Sequence, residues 1–180
     1  MIRKKINLKA KGFRWKTFSL LNENNKAEMS IVSATYGQVS EIKENSIVVY
    51  IDVKDIHKIY APITSKIIGL DFVNGLFKRK VFKSIYMKTG RAIITLKGII
   101  EIKFYLEVGK PKYITDRVLI ENSIGDNILQ GQIIGEILLG SLSEIFFPKN
   151  IPLKILINEG DYIEGGKTIL AYYNSDETVI

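Results

Sequence analysis

Two decapeptides, GDNILQGQII (125–134) and GDYIEGGKTI (160–169), share the pattern Gly-Asp-x-Ile-x-x-Gly-x-x-Ile at a separation of thirty-five residues. Gly-Asp opens a turn, the Ile packs inward, and the second Gly admits a left-handed backbone before the next strand. Two copies are too few for a solenoid. They fit a barrel whose two halves use the same turn-and-strand device.

The rest of the chain agrees with that reading. From Ile31 onward, short runs rich in Ile, Val, Tyr and Phe alternate with Gly, Asn, Asp and Lys clusters: SIVVYID (46–52), APITSKIIGLDF (61–72), RAIITLKGIIEIKFYLEV (91–108), RVLIEN (117–122), QIIGEILL (132–139), SEIFFP (143–148), PLKILIN (152–158) and KTILAYY (167–173). β-Branched and aromatic enrichment between turn signals predicts strands. Residues 91–108 read as a hairpin turning near Lys97-Gly98. No segment has a clear 3.6-residue apolar period, although short helices over 54–58 or 76–86 stay open. The expected fold is mainly β, a barrel-sandwich-hybrid-like barrel or sandwich carrying the internal repeat.

A chain of 180 residues is long enough to bury one independent core. It has no cysteine, which excludes disulfides and thiolate metal sites, and its one histidine excludes a multi-His metal site. No run reaches the ~18 apolar residues of a membrane-spanning helix. The N-terminus lacks the apolar core of a signal peptide, so a cytoplasmic location is expected.

The net charge of +7 is concentrated at the start. MIRKKINLKAKGFRWK (1–16) holds Arg3, Lys4, Lys5, Lys9, Lys11, Arg14 and Lys16 and no acid. These cations interleave with Ile2, Ile6, Leu8, Phe13 and Trp15. That mixture suits an anionic membrane surface, where cations meet lipid phosphates and aromatics sit among the headgroups. A solvated, partly ordered terminus fits it equally well. Charge alone would also suit nucleic acid, but no nucleic-acid partner is expected. The chain therefore divides into a basic, aromatic segment (1–30) that could touch a membrane and a β domain (31–180). Peripheral attachment at the inner face of the cell membrane follows from the lipid reading, and a homodimer is among the assemblies open to it.

Two stretches carry candidate chemistry. GEILLGSLSEIFFP (135–148) places Gly140-Ser141 inside an apolar, strand-like run, with Ser143 two residues on. Gly leaves its carbonyl unshielded and Ser offers a nucleophile. VYIDVKDIHKIYAP (49–62) places His57 beside Asp52 and Asp55 at a strand end, where an imidazole could move protons near neutral pH.

Together these stretches resemble the phosphatidylserine decarboxylase family, in particular its short branch. VYIDVKDIHKIYAP is similar to the family's apolar strand followed by His and, five residues later, Pro. TSKIIGLDFVNGLF matches the next segment at Phe72, Gly75 and Phe77. GDNILQGQIIGEILLGSLSEIFFP has the family's Gly-Asp, Gly, Gly, Gly-Ser and Pro in order and spacing, and LKILINEGDYIEGGKTILAYY resembles the C-terminal strand pair. The resemblance runs from about Ser33 to Tyr173, loosely over 78–116.

The resemblance implies a self-cleaving pyruvoyl enzyme converting phosphatidylserine to phosphatidylethanolamine. The Ser141 hydroxyl attacks the Gly140 carbonyl and the peptide C–N bond breaks, leaving an ester. β-Elimination breaks the Cβ–O bond and frees a chain ending at Gly140. The dehydroalanine at 141 then exchanges its nitrogen for water oxygen, losing ammonia and leaving a pyruvoyl cofactor on the new 141–180 chain, which stays with 1–140. The pyruvoyl serves as an electron sink for decarboxylation, and His57 is the implied proton donor. No metal is implied.

The sequence also departs from the family. Tyr36, in SATYGQV (33–39), stands where the family usually has Asp before Gly. Tyr60 stands where the longer branch has a second His. Leu142 follows the Gly-Ser where Thr or Arg is frequent, and of the Asn-Glu-Arg-like motif only Arg91 remains. Asp52, Asp55 and Glu144 are the carboxylates that could substitute. A non-catalytic relative that keeps the fold is therefore one rival reading. A biotinyl- or lipoyl-type carrier domain, with Lys54 eight residues before Pro62, is a more distant one.

Overall fold

The computed structural model describes residues 3–10, 13–21, 27–81, 85–108, 117–138, 141–149 and 151–174. Their order is β1 (Arg3–Ala10), β2 (Phe13–Leu21), β3 (Ala27–Val32), β4 (Gly37–Lys43), β5 (Ser46–Ile51), β6 (Lys58–Tyr60), β7 (Ser65–Val81) and β8 (Ile85–Lys97). Then follow β9 (Glu101–Val108), β10 (Val118–Ile120), β11 (Asn127–Ile128), β12 (Ile133–Ile137), β13 (Ser141–Phe146), β14 (Leu153–Ile155), β15 (Tyr162–Ile163) and β16 (Ile169–Asn174).

The chain is all-β, with no helix among the described residues, as the turn spacing predicts. Residues 54–57 form a turn and loop leading into β6, and 76–81 and 85–86 belong to β7 and β8. The strands build three sheets: β1-β2-β3-β16-β14, β10-β12-β6, and an eight-stranded sheet β11-β7-β8-β9-β13-β5-β4-β15. The hairpin over 91–108 is present, with its turn at Gly98–Ile100. Before Ile31, β1 and β2 pair antiparallel from Arg3↔Leu20 to Ala10↔Phe13, and β2 pairs antiparallel with β3 from Ser19↔Met29 to Leu21↔Ala27.

Period-two alternation places the core on one face of the large sheet. Ile94, Phe104, Ile145 and Ile47 form one lateral row across β8, β9, β13 and β5; Ala92, Leu106, Ser143 and Val49 form the next. All eight are buried, so Ser143 is a single hydroxyl in an apolar row. Burial of such side chains, at roughly 1.5–3 kcal/mol for each large one, is the main force holding the sheet.

The sequence repeat is a structural repeat. In the first copy Gly125 N–H donates to Ile67 O, Ile67 N–H to Asp126 O, and Gly131 N–H to Ala61 O. In the second, Gly160 N–H donates to Val39 O, Val39 N–H to Asp161 O, and Gly166 N–H to Ser33 O. Each step in one copy has its counterpart in the other. The Asp side chains match too: Asp126 Oδ2 accepts Ser123 N–H at 2.9 Å and Asp161 Oδ2 accepts Asn158 N–H at 2.8 Å. Ile128 and Ile163 are both buried, as read from the pattern. The repeat thus fastens 61–67 in one half and 33–39 in the other.

Candidate active site

β13 runs between β5 and β9, and its first residue, Ser141, stands in register with Ile51 and Val108. Antiparallel pairing holds such Cα atoms about 4.5–5.5 Å apart. Gly140 lies outside the described residues, and for Ser141 only the backbone pairing is described.

The chain leaving Ile51 turns at once. Asp55 N–H donates to Asp52 O at 3.0 Å. The Asp55 carboxylate accepts Asp52 N–H at 2.8 Å, and Asp52 Oδ1 accepts Lys54 N–H at 3.1 Å. Asp residues favour this local side-chain-to-backbone bonding, which fixes the loop without regular structure. The loop delivers His57, whose carbonyl accepts the N–H of Ile137 at 2.8 Å. Three residues separate Ile137 from Ser141, and Ser141 is the register partner of Ile51. His57 and the start of β13 therefore sit on one short closed circuit of backbone.

The imidazole is held in a defined state. His57 Nδ1 lies 2.6 Å from the carbonyl oxygen of Asp55. A carbonyl can only accept, so Nδ1 carries the hydrogen and the neutral ring keeps its lone pair on Nε2. Nε2 is buried and has no hydrogen-bond partner. A buried, unpaired ring nitrogen is costly unless something uses it, and the lone pair of this one is available as a hydrogen-bond acceptor.

Asp55 is also gripped from β15. Tyr162 O–H donates to Asp55 Oδ1 at 2.7 Å. The hydrogen bond to this carboxylate raises the phenol to about 12 from its ordinary 10.0.

The structure brings together the two tyrosines at the departing positions. Tyr36 is buried, and its ring centroid is 5.9 Å from that of Tyr60 at a tilt of 55°. Burial, then the neighbouring Tyr36 phenol, raises the Tyr60 pKa. Lys167 stands close by, its pKa raised first by Glu164 at 2.8 Å and also by Tyr36. Of the three carboxylates that could substitute for the missing Asp, Asp55 and Asp52 belong to the His57 loop. Glu144 is engaged elsewhere, by Lys43 at 2.7 Å and Ser46 at 3.0 Å.

One feature escaped the sequence reading. Glu107 is buried to 3% exposure and forms an ion pair with Arg91, whose guanidinium also lies 4.8 Å from the centre of the Tyr105 ring. Glu107 is the register partner of both Arg91 and Leu142, one residue from Ser141. Arg91 could be picked out of KTGRAI, but its partner sixteen residues on shows only in the strand pairing.

Among the described residues, no group of three or more His, Asp or Glu side chains is placed to hold a metal ion. The family model described as phosphatidylserine decarboxylase matches residues 1–171. A Methanosarcina barkeri protein provisionally named archaetidylserine decarboxylase proenzyme is 27% identical over 149 residues, covering 81% of this chain and 71% of its own. The phosphatidylserine decarboxylase proenzyme of Amoebophilus asiaticus is 26% identical over 166 residues, covering 85% and 72%. That of Carboxydothermus hydrogenoformans is 27% identical over 160 residues, covering 82% and 72%. With a match over nearly its whole length, the chain belongs to the phosphatidylserine decarboxylase family, a family of carboxy-lyases acting in phospholipid metabolism.

Proposed function

We propose that this protein is a proenzyme that cuts itself between Gly140 and Ser141 and then decarboxylates phosphatidylserine to phosphatidylethanolamine. The observation that carries the reading is His57. Its Nε2 is buried without a partner, its Nδ1–H is set on the Asp55 carbonyl, and its backbone is bonded to Ile137 just ahead of the Gly-Ser step. A pyruvoyl group derived from Ser141 supplies an electrophilic carbonyl for the serine amine and an electron sink for the departing carboxylate. The residues present suit such a group: an unsatisfied imidazole stands on the same backbone circuit as the serine that would become it. His57 accepts a proton at Nε2 while Ser141 is activated, and in turnover returns one to the carbon that has lost CO2. The Asp55 carbonyl keeps Nδ1–H oriented throughout.

The basic segment 1–16 supports work at an anionic lipid surface, and we assign the protein to the inner face of the cell membrane. Deleting those residues should abolish sedimentation with vesicles containing phosphatidylserine; undiminished binding would remove that role.

Intact mass measurement of the purified protein tests the central reading. Cutting gives fragments 1–140 and 141–180, the second with a blocked, hydrazine-reactive N-terminus, and Ser141→Ala leaves one full-length species. A single uncut mass in the unmodified protein sinks it. Tyr36 favours a second reading, a family member that has kept the fold and lost the cut. No carboxylate stands at that position, and the phenol there is packed against Tyr60.

A further inference from the structure

The two copies of the repeat differ in the residue after Gly-Asp: Asn127 in the first, Tyr162 in the second. Their backbones make matching bonds and both positions begin a two-residue strand, so the turn does not dictate this side chain. A large aromatic that remains 61% exposed gains little from burial. What Tyr162 offers is its hydroxyl, which reaches Asp55 at 2.7 Å across 107 residues of sequence.

Each of the three oxygens of Asp55 accepts a hydrogen bond. Oδ1 takes the Tyr162 hydroxyl, Oδ2 takes Asp52 N–H at 2.8 Å, and the main-chain oxygen takes His57 Nδ1–H at 2.6 Å. The carboxylate is thereby clamped between β15 and the end of β5, and the carbonyl that orients the imidazole belongs to the clamped residue. Exposed loops of this kind sample several conformations unless tied down. Here the tie is a charge-assisted hydrogen bond, stronger than a neutral one.

We propose that Tyr162 and Asp55 are positioning residues for His57, holding its neutral ring in the single tautomer with the lone pair on Nε2. The proposal rests on the reading of His57 as the proton-transfer group. It assigns the second copy of the repeat a task that the first copy lacks. Loosening Asp55 lets the ring turn and its hydrogen move to Nε2, the state in which that atom can no longer accept a proton.

His57 is the only histidine, so imidazole nitrogen NMR of the 15N-labelled full chain reports it without interference. At a pH where the ring is neutral, the unmodified protein should show one tautomer, protonated at Nδ1. Tyr162→Phe should bring in the second tautomer and slow self-cleavage about five- to tenfold. Asp55→Ala should do both more strongly, and Asn127→Ala, at the equivalent place in the other copy, neither. An unchanged tautomer pattern in Tyr162→Phe overturns the proposal; being exposed, this residue can be changed without threatening the fold. If the unmodified protein proves uncut, the proposed function fails, and the tautomer comparison still decides whether Tyr162 and Asp55 set the ring.

Discussion

Tyr60 packs its ring so tightly on Gly166 that a Cβ built there would lie 2.7 Å from Tyr60 Cδ1, and one on Gly165 would lie 2.7 Å from Cδ2. Gly166 also holds φ at +73°, the left-handed region. Gly165→Ala should therefore cost about 1–3 kcal/mol from overpacking, and Gly166→Ala a further 1–2 kcal/mol or so from its backbone. Denaturant melts check both. In a Tyr60→Ala background the Gly165→Ala cost should shrink, because the clash partner is gone.

Arg91 and Glu107 should behave as a unit. Removing the guanidinium takes one partner from a buried carboxylate, so Arg91→Ala is expected to destabilise by up to about 3–5 kcal/mol. Replacing both, as Arg91→Met with Glu107→Leu, should cost less than Arg91→Ala alone. A double replacement that costs the sum of the two single changes would show that the pair is not coupled.

The Tyr162 phenol is raised to about 12 by its bond to Asp55. A group whose folded pKa lies above its unfolded value stabilises the fold fully below the unfolded value, here 10.0, and loses that contribution as pH rises towards about 12. Spectrophotometric titration should show one phenol ionising late, and Tyr162→Phe should delete that step. Stability curves of the two proteins should converge over the same interval. A titration unaltered by the substitution would contradict the tether.

Ser141→Ala and Ser143→Ala should differ completely. The first removes the proposed nucleophile and should abolish cutting. Ser143 is 3% exposed, within an apolar row between Leu106 and Val49. Its replacement should leave the fragments unchanged and alter stability by about 1 kcal/mol at most. Gel analysis of both variants is sufficient, and persistent cutting in Ser141→Ala would move the nucleophile elsewhere.

Tyr36→Asp tests whether the absent carboxylate limits the chemistry. If it does, fragments should appear at least about tenfold faster than in the unmodified protein, in line with the usual gain from a positioned acid–base group. Burying the new carboxylate beside Tyr60 should lower stability by about 1–3 kcal/mol. An unaltered rate would mean that the Asp55-anchored His57 needs no carboxylate at position 36.

Much of the fold is legible in the sequence because its signals are local. The paired GDxIxxG turns dictate their own hydrogen bonds, and Ile128 and Ile163 point inward as alternation requires. The hairpin over 91–108 needs only its two apolar stripes and Gly98. Residues 3–21 are less legible: Lys-Ile-Asn-Leu-Lys-Ala has the period of a strand, but its run of cations equally suits a solvated or surface-bound segment. The candidate site is legible as residue types, Ser141 and His57, through family resemblance. Its wiring is not. Tyr162 and Asp55 meet because β15 lies beside β4, and Glu107 finds Arg91 because β8 and β9 share one register. Such partners follow from strand order and never from spacing along the chain.

The placement of β13 has one more consequence. A cut at Gly140–Ser141 would put its first residue at a new terminus while the strand stays laced between β5 and β9, with β14 and β16 of the same fragment laced into another sheet. The smaller piece would then be an internal part of the fold, and the product would be a complementation complex of two chains. Its assembly from unfolded fragments would depend on concentration, whereas the intact precursor folds unimolecularly. Maturation would thus act as a ratchet, easily entered by the precursor and poorly retraced by the product once unfolded.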